Sequence, residues 1–150
     1  MSADQPELIT EGDFAGWQRA DAGDTFNGLI GAYYYDTSDP ASAKVAFKAE
    51  KRHLNGGGSV HGGCLLTLAD TALFIFAIPH LGEGAAVTLQ LDAQFQSPGR
   101  EGDIIIATGE ITRAGGTVIF GRGDIRCDDR LLMSFTGILS RKKSRPQGDA

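Results

Sequence analysis

The sequence predicts an α+β domain in which an antiparallel sheet curls around one long, buried helix. Three observations lead to this prediction: two strand-like segments come first, one long apolar helical segment follows, and four strand-like segments come after it. A lone helix that is apolar on most sides needs cover on most sides, and a curved sheet can supply it. The 150 residues suffice for one domain and leave no room for a second of ordinary size.

The N-terminal third is expected to supply the first two strands. Residues 11–20 (EGDFAGWQRA) are expected to form a short helix within a helical extension over residues 1–25. Residues 26–35 are aromatic and apolar, and residues 44–50 roughly alternate in polarity, so each segment predicts a strand. The polar, glycine-rich stretch at 51–59 predicts a loop.

The central helix is predicted over residues 62–78. Its apolar residues recur at helical spacing, and the other faces are nearly as apolar. The recurring residues are Cys64, Leu65, Leu68, Ala69, Ala72, Leu73, Phe76 and Ala77. Proline lacks the N–H that continues a helix, so Pro79 is expected to end it.

A meander of four strands is predicted after the helix. The first, over residues 87–95, alternates in polarity. Its predicted buried face consists of Val87, Leu89, Leu91, Ala93 and Phe95. The other strands are expected at 103–112, 117–127 and 130–140, with hairpin turns at 114–116 and 128–129. The outer face and edges of this sheet need cover, which predicts an oligomer, and the charged residues 141–150 are expected to fray.

Charge and cysteine content argue against several functions. The chain has 14 Lys and Arg against 19 Asp and Glu, a net charge of −5, whereas nucleic-acid binders depend on neutralising phosphates. Cys64 and Cys127 form no CxxC pair, and the three histidines lack paired-ligand spacing, so neither a disulfide framework nor a metal site is predicted. The N-terminus does not resemble a secretory signal, and the longest apolar run, 72–78, is far shorter than the ~20 residues of a membrane span. We therefore expect a cytoplasmic protein that binds neither nucleic acid nor a membrane.

The start of the predicted helix is the first candidate site, because His61, Gly62 and Gly63 follow one another there. The first turn of a helix leaves backbone N–H groups unpaired and carries a partial positive charge. Glycine has no side chain, so a ligand oxygen can come close, as an oxyanion or carbonyl site requires. The two glycines could equally serve only close packing between the helix and the sheet.

Asp70, in the middle of the apolar helix, is the second candidate. An ionised carboxylate is costly there unless it is paired. A salt bridge or a helix face that opens to solvent could explain Asp70, but Thr67 and Thr71 are its only polar neighbours on the predicted helix. Asp70 is therefore a candidate general base or nucleophile. Gly62 and Asp70 lie about 12 Å apart along the helix axis, too far for both to act on one carbonyl carbon. A site that uses both would be shared between two antiparallel helices across a two-fold axis.

Residues 53–72 (HLNGGGSVHGGCLLTLADTA) resemble the PaaI-type acyl-CoA thioesterases of the hotdog superfamily, which belong to phenylacetic acid degradation. The similarity continues in residues 86–103 (AVTLQLDAQFQSPGREGD), in RAGGT at 113–117 and in LSRKK at the end of the last strand, and covers about residues 26–143. The fold of that family is a curved antiparallel β-sheet wrapped around a long central α-helix. The resemblance thus implies a single hotdog domain over residues 1–150, with a frayed tail at 144–150.

The resemblance also implies hydrolysis of an acyl- or aryl-CoA thioester without a metal or bound cofactor, since coenzyme A is part of the substrate. It implies that the Gly62 N–H and Asn55 polarise the carbonyl, assisted by His61. Asp70 of the facing subunit would activate water or attack, and Thr88 would orient that water. The implied assembly is a dimer with shared sites, paired into a dimer of dimers. The implied substrate- and CoA-binding residues are Gly63, Phe95, Ser97, Arg100, Arg113, Gly115, Gly116 and Thr117, with Arg141 and Lys142 as further phosphate ligands.

Three alternatives stay open from the sequence. They are a non-catalytic acyl-CoA-binding or sensing protein, a hotdog dehydratase acting on hydroxyacyl thioesters, and an assembly protein without a ligand. The combination of Asn55, Asp70 and Thr88 disfavours a pure binder, and His61 beside the glycines disfavours a dehydratase. Both aromatic and medium-chain acyl groups remain open as substrates.

Overall fold

A computed structural model describes residues 6–142, which form a curved antiparallel sheet around one long helix. The helices are α1 (Phe26–Ile30) and α2 (Gly62–Leu81). The strands are β1 (Glu7–Leu8), β2 (Gln18–Ala20), β3 (Tyr33–Asp36), β4 (Lys44–Lys48), β5 (Ala85–Phe95), β6 (Ile104–Ala114), β7 (Val118–Cys127) and β8 (Arg130–Lys142). Their order in the sheet is β1-β2-β3-β4-β6-β7-β8-β5. The α+β class and the single central helix are confirmed.

The N-terminal region differs from its prediction. Residues 11–20 form no helix, because Gly12 and Gly16 adopt left-handed φ values of 82° and 87°, and the chain then enters β2. Residues 26–35 do not form one strand either. The Thr25 side chain accepts the N–H of Gly28 and starts the short α1, so the strand begins only at β3. The aromatic composition of residues 26–35 predicted a strand, but the N-cap at Thr25 starts a helix there instead.

The central helix begins at the predicted residue and ends later than predicted. It continues through Pro79 to Leu81 and ends at Gly82, which has a φ of 60°. Proline removes the hydrogen bond of its own nitrogen and crowds the carbonyl four residues earlier, but only two residues of the helix follow Pro79, so the last turn still forms. By length and composition alone α2 could cross a membrane, but the core helix of a folded domain meets the same two criteria. In this fold seven of its residues are buried.

The pairing of β5 corrects the predicted four-strand meander. β5 pairs with β8, and β6 pairs with β4, so of the four strands after the helix only β6, β7 and β8 follow one another in the sheet. Alternating polarity predicts a strand but does not name its partner. The hairpin turns after β6 and β7 lie within a residue of where they were predicted, at residues 115–117 and 128–129. Arg141 and Lys142 belong to β8 instead of a frayed tail, and the rest of that tail lies outside the described residues.

Glycines allow the sheet to approach α2 closely. A Cβ on Gly137 would lie 2.2 Å from a methyl carbon of Leu73, and one on Gly121 would lie 2.8 Å from the other. A Cβ on Gly109 would lie 2.7 Å from the ring of Phe76. Three adjacent strands thus hold the helix at a distance that side chains larger than hydrogen would not permit, which fixes where its middle turn, with Asp70, lies.

Candidate active site

His61 caps the start of α2 with its own ring. Its Nδ1 accepts the N–H of Gly63 at 2.8 Å, and its backbone N–H donates to the carbonyl of His53 at 2.7 Å. A nitrogen that accepts a hydrogen bond is unprotonated in neutral imidazole, so Nε2 is the donor of the ring. The N–H of Gly63, a predicted binding residue, is thus used by the cap. Within the described residues nothing accepts the N–H of Gly62, which is left for a ligand.

The loop before α2 is closed by Asn55. Its Oδ1 accepts the N–H of Gly57 at 2.8 Å and the N–H of Ser59 at 3.2 Å. Its backbone N–H donates to the carbonyl of Ser59 at 2.7 Å. Because the carboxamide oxygen has both of these partners, its amino group is the part that can donate to a ligand.

A cavity of about 460 Å³ lies between this loop and the end of β5. Asn55, Gly62, Phe95 and Ser97 are among its lining residues. Phe95 is 55% exposed, and its ring lies 3.1 Å from the position that a Cβ on Gly62 would occupy. The structure therefore brings these four predicted residues together around the free N–H of Gly62.

Asp70 and Thr88 form a second group. The Thr88 hydroxyl donates to Oδ1 of Asp70 at 2.5 Å and joins the middle of α2 to β5. The pairing of β5 with β8 shifts register between Thr88 and Gln90 and leaves Leu89 unpaired with β8. Such a bulge moves the alternation of a strand by one residue and can direct a side chain to a new face. Here the side chains of Thr88, Leu91 and Ala93 all point at the helix. An unbroken strand could not direct residues 88 and 91 to the same face, and the bulge between them makes this possible.

The bulge also corrects the predicted buried face of β5. Val87 is 37% exposed, Leu89 is 61% exposed and Phe95 is 55% exposed, although all three were predicted to be buried. The prediction is wrong before residue 90 because it assumed an unbroken alternation. Phe95 is exposed because it ends the strand over the cavity at Gly62.

The predicted CoA-binding residues lie at two ends of the sheet. Arg100 follows the Ser97–Gly99 turn near the cavity, and its backbone N–H donates to Asp103 at 2.8 Å. The group Arg113, Gly115, Gly116 and Thr117 lies at the β6–β7 turn, beside the last turn of α2. Arg141 contacts both this turn and the last turn of α2, because its side chain donates to the carbonyls of Gly115 and His80. One protomer alone therefore does not bring these two groups to one place.

Cys64 is not a nucleophile of this site. Burial raises the pKa of its thiol, so the thiol stays protonated at neutral pH. Its Sγ lies 3.7 Å from the carbonyl of His53, to which it donates. Over residues 6–142 no group of three or more His, Cys, Asp or Glu side chains is arranged to hold a metal ion.

His53 is a residue for which the sequence predicted no role. It is 3% exposed, the one buried polar or charged side chain among the described residues. Both ring nitrogens form hydrogen bonds, and the ring packs 4.8 Å from that of Phe47. A histidine in a glycine-rich loop gives no signal of burial, because one of its partners, the carbonyl of Ile30, is distant in sequence.

Comparisons with known proteins show the family of the chain. Residues 57–134 match the family model described as the thioesterase superfamily. The PaaI protein of Escherichia coli, from the phenylacetic acid degradation operon, superposes with a TM-score of 0.63 at 30% identity, over 69% of this chain and 74% of that chain. A hypothetical thioesterase of Streptococcus pneumoniae, solved with coenzyme A, superposes with a TM-score of 0.67 at 26% identity, over 75% of this chain and 90% of that chain.

Human acyl-coenzyme A thioesterase 13 is 27% identical over 101 residues, which are 67% of this chain and 71% of that protein. The range that matches the family model includes α2 and β5, and with them Gly62, Asp70 and Thr88. The chain therefore belongs to the thioesterase superfamily and has the hotdog fold.

Proposed function

We propose that the protein is an acyl-CoA thioesterase, which hydrolyses an acyl- or aryl-CoA thioester to the free acid and CoA. One observation carries the proposal. The free N–H of Gly62 and the amino group of Asn55 border the same cavity, so two donors are available to one carbonyl oxygen. Donors placed in this way stabilise the oxyanion that forms when a thioester carbonyl is attacked. Membership of the thioesterase superfamily supports the same substrate class, and so does the related streptococcal protein, whose structure was solved with coenzyme A.

Asp70 supplies the attacking group in this proposal. As a general base its carboxylate takes a proton from water, whose oxygen bonds to the thioester carbon. As a nucleophile it bonds to that carbon itself, and water then hydrolyses the resulting anhydride. In the first course the C–S bond breaks and the CoA thiolate takes the proton that Asp70 removed from water. In the second course the thiolate leaves first and takes the proton that is released when water hydrolyses the anhydride. The Thr88 hydroxyl holds one carboxylate oxygen and so orients the other towards the reacting carbon.

We also propose that each site is shared by two subunits. Along α2 the Gly62 turn and Asp70 are about 12 Å apart, so one helix cannot present both to one carbon. β5 is the last strand of the described sheet, and it exposes Leu89 and Phe95 beside its free edge. Such an edge is suited to a second copy, since an exposed strand with apolar side chains pairs readily. A two-fold dimer there places Asp70 of one subunit opposite Gly62 of the other, and we propose that two dimers then associate.

The shared site would also unite the two groups of CoA-binding residues. In a two-fold dimer the β6–β7 turn of one subunit can approach the Ser97–Arg100 end of the other. Arg100 and Arg113 are then the candidates for the CoA phosphates, because Arg141 already donates to backbone carbonyls. Coenzyme A enters as part of the substrate, and the proposal assigns no step to a metal or resident cofactor. A cytoplasmic location and a role in phenylacetic acid degradation stay predictions.

The test is an assay of CoA release from phenylacetyl-, benzoyl- and hexanoyl-CoA by the wild type and by Asp70→Asn. Hydrolysis that depends on Asp70 supports the proposal, and the order of the three substrates indicates the acyl group. Tight binding of acyl-CoA without turnover of any member would instead favour a sensor. Neither binding nor turnover would contradict the proposed substrate class.

A further inference from the structure

We propose that His53 is a positioning residue for the donor half of the active site, with its imidazole fixing the loop that presents Asn55 and Gly62. This inference rests on the proposed function, because it concerns the geometry of the same two donors. His53 does not line their cavity, so its effect must pass through the loop.

The imidazole connects segments that are otherwise separate. Its Nδ1 accepts the N–H of Glu50, just after β4, at 2.7 Å. Its Nε2 then carries the proton and donates at 2.5 Å to the carbonyl of Ile30, the last residue of α1. The carbonyls in the last turn of a helix have no partner within the helix, so His53 satisfies one of them. Because both nitrogens are used in this way, the buried ring is neutral.

The backbone of His53 also forms hydrogen bonds to the first turn of α2, which contains Gly62. Its carbonyl accepts the N–H of His61 at 2.7 Å and the thiol of Cys64 at 3.7 Å. The His61 ring in turn holds the N–H of Gly63. An isolated antiparallel β-bridge between Leu54 and Val60 also joins the two ends of this loop. Fixing His53 therefore fixes the residue that caps α2, and with it the direction of the Gly62 N–H.

Burial makes this connection rigid. His53 is 3% exposed, and the ring of Phe47, itself 2% exposed, packs against it. A buried polar group that loses a partner costs free energy, so a substitution that leaves Glu50 N–H or the Ile30 carbonyl unpaired displaces the local backbone. A displacement on the order of 1 Å at a catalytic group can lower turnover about a hundredfold.

Two substitutions separate the two hydrogen bonds of the ring. In His53→Asn the amide oxygen can take the place of Nδ1 and accept from Glu50, while the bond to Ile30 is lost. In His53→Gln the longer side chain can reach Ile30 from the place of Nε2, while the bond to Glu50 is lost. Since Glu50 starts the loop that leads to Asn55, we expect His53→Gln to lower kcat roughly 10- to 100-fold, with a much smaller change in KM. His53→Asn should retain most of kcat.

The control is Ile125→Ala, which removes a fully buried side chain of β7 away from the β6–β7 turn. It should lower the midpoint of thermal unfolding at least as much as either His53 variant and leave kcat unchanged well below that midpoint. Amide hydrogen exchange over residues 53–64 is measured in all variants, because it reports loop order whether or not the protein turns over acyl-CoA. We expect faster exchange of the His61 and Gly63 amides in His53→Gln than in Ile125→Ala.

Each outcome decides the inference. A fall in kcat with faster exchange at His61 and Gly63 in His53→Gln alone supports it. Equal losses of kcat in the Ile125→Ala control would show that His53 acts only through global stability. Unchanged exchange in both His53 variants would contradict a positioning role even if no acyl-CoA is hydrolysed, whereas absent wild-type turnover with altered exchange would contradict only the proposed function.

Discussion

The two proposed functional regions of α2 are built in opposite ways. At its N-terminus the donors are a backbone N–H and an amide whose other groups already have partners within the loop. At its middle, Asp70 is a single carboxylate held by one hydroxyl from another element of the fold, Thr88 on β5. The first region is organised by backbone geometry over a short stretch of sequence. The second depends on a long-range contact that exists only because β5 contains a bulge.

This difference indicates how each region should respond to change. A backbone donor survives most side-chain substitutions and is lost mainly when the loop moves. A side-chain carboxylate is lost with one substitution and misdirected by the loss of the hydroxyl that holds it. Because the two lie about 12 Å apart along one helix, we propose that neither region makes a complete site within a single chain.

Asp70→Asn should have the largest effect. The amide cannot accept a proton from water at neutral pH and is a poor nucleophile, so kcat should fall by about 10²–10⁴-fold or more. CoA release measures the loss, and thermal unfolding with light scattering checks the fold and the oligomer. A variant that unfolds or dissociates would show that Asp70 is a structural residue.

Asn55→Ala should have the next largest effect. It removes one of two oxyanion donors, which we expect to lower kcat by about 10²–10³-fold. It also removes the acceptor of the Gly57 and Ser59 amides, so Asn55→Asp is the companion variant, since it keeps those acceptors and lacks the donor. Equal activity of Asn55→Asp and the wild type would contradict a donor role for the Asn55 amide.

Thr88→Ala should have an intermediate effect. Asp70 keeps its charge and loses the hydroxyl that orients it, so we expect a loss of roughly 10- to 100-fold in kcat. Thr88→Ser restores the hydroxyl and should recover most of the activity. If Thr88→Ser is as slow as Thr88→Ala, the methyl group matters instead, through packing against α2.

Gly62→Ala should have a small effect, mainly on substrate binding. The new Cβ would lie 3.1 Å from ring carbons of Phe95, which is half exposed and can move aside. The free N–H remains, so kcat should change little, while KM rises up to about tenfold because the methyl group narrows the approach to that N–H. Steady-state kinetics with Phe95→Leu added tests the cause, since a smaller side chain should restore KM.

Tyr33→Phe should have the smallest effect, visible only at high pH. Burial raises the pKa of Tyr33 from 10.0 to about 12, with Cys64 and Asp70 adding to the rise. The unfolded chain therefore loses this proton at lower pH than the folded protein, so the stabilising contribution is complete below pH 10.0 and is lost as pH rises towards 12. Urea unfolding across this window should show a weaker pH dependence in Tyr33→Phe, and an unchanged dependence would contradict the burial of this hydroxyl.

Local patterns in the sequence predicted the helix and its donor turn. The spacing of Leu65, Leu68 and Ala72 is a short-range signal, and so is a histidine before two glycines at a helix start. The strand after the helix, the two hairpin turns and the helix start were therefore predictable, whereas the closeness of Asn55 to Gly62 was implied only by the resemblance to a family.

Long-range events were not predictable in the same way. The pairing of β5 with β8 joins residues distant along the chain, and nothing in alternating polarity names that partner. The bulge beside Leu89 reverses the facing of Val87 and Thr88, and no glycine or proline marks it in the sequence. The closeness of Thr88 to Asp70 followed only from resemblance to a family. The burial of His53 likewise depends on a distant element, because its ring binds the carbonyl of Ile30 at the end of α1, where a strand was predicted.

A subunit-mixing experiment tests the shared site most directly. Asp70→Asn and Asn55→Ala chains carrying different tags are co-expressed, and the mixed oligomer is isolated by both tags. In a two-fold dimer one site then receives both substitutions and the other receives neither, so the mixed dimer should regain about half of wild-type turnover per dimer. A mixed oligomer no more active than its two parents would contradict the shared site and place both donors and carboxylate within one chain.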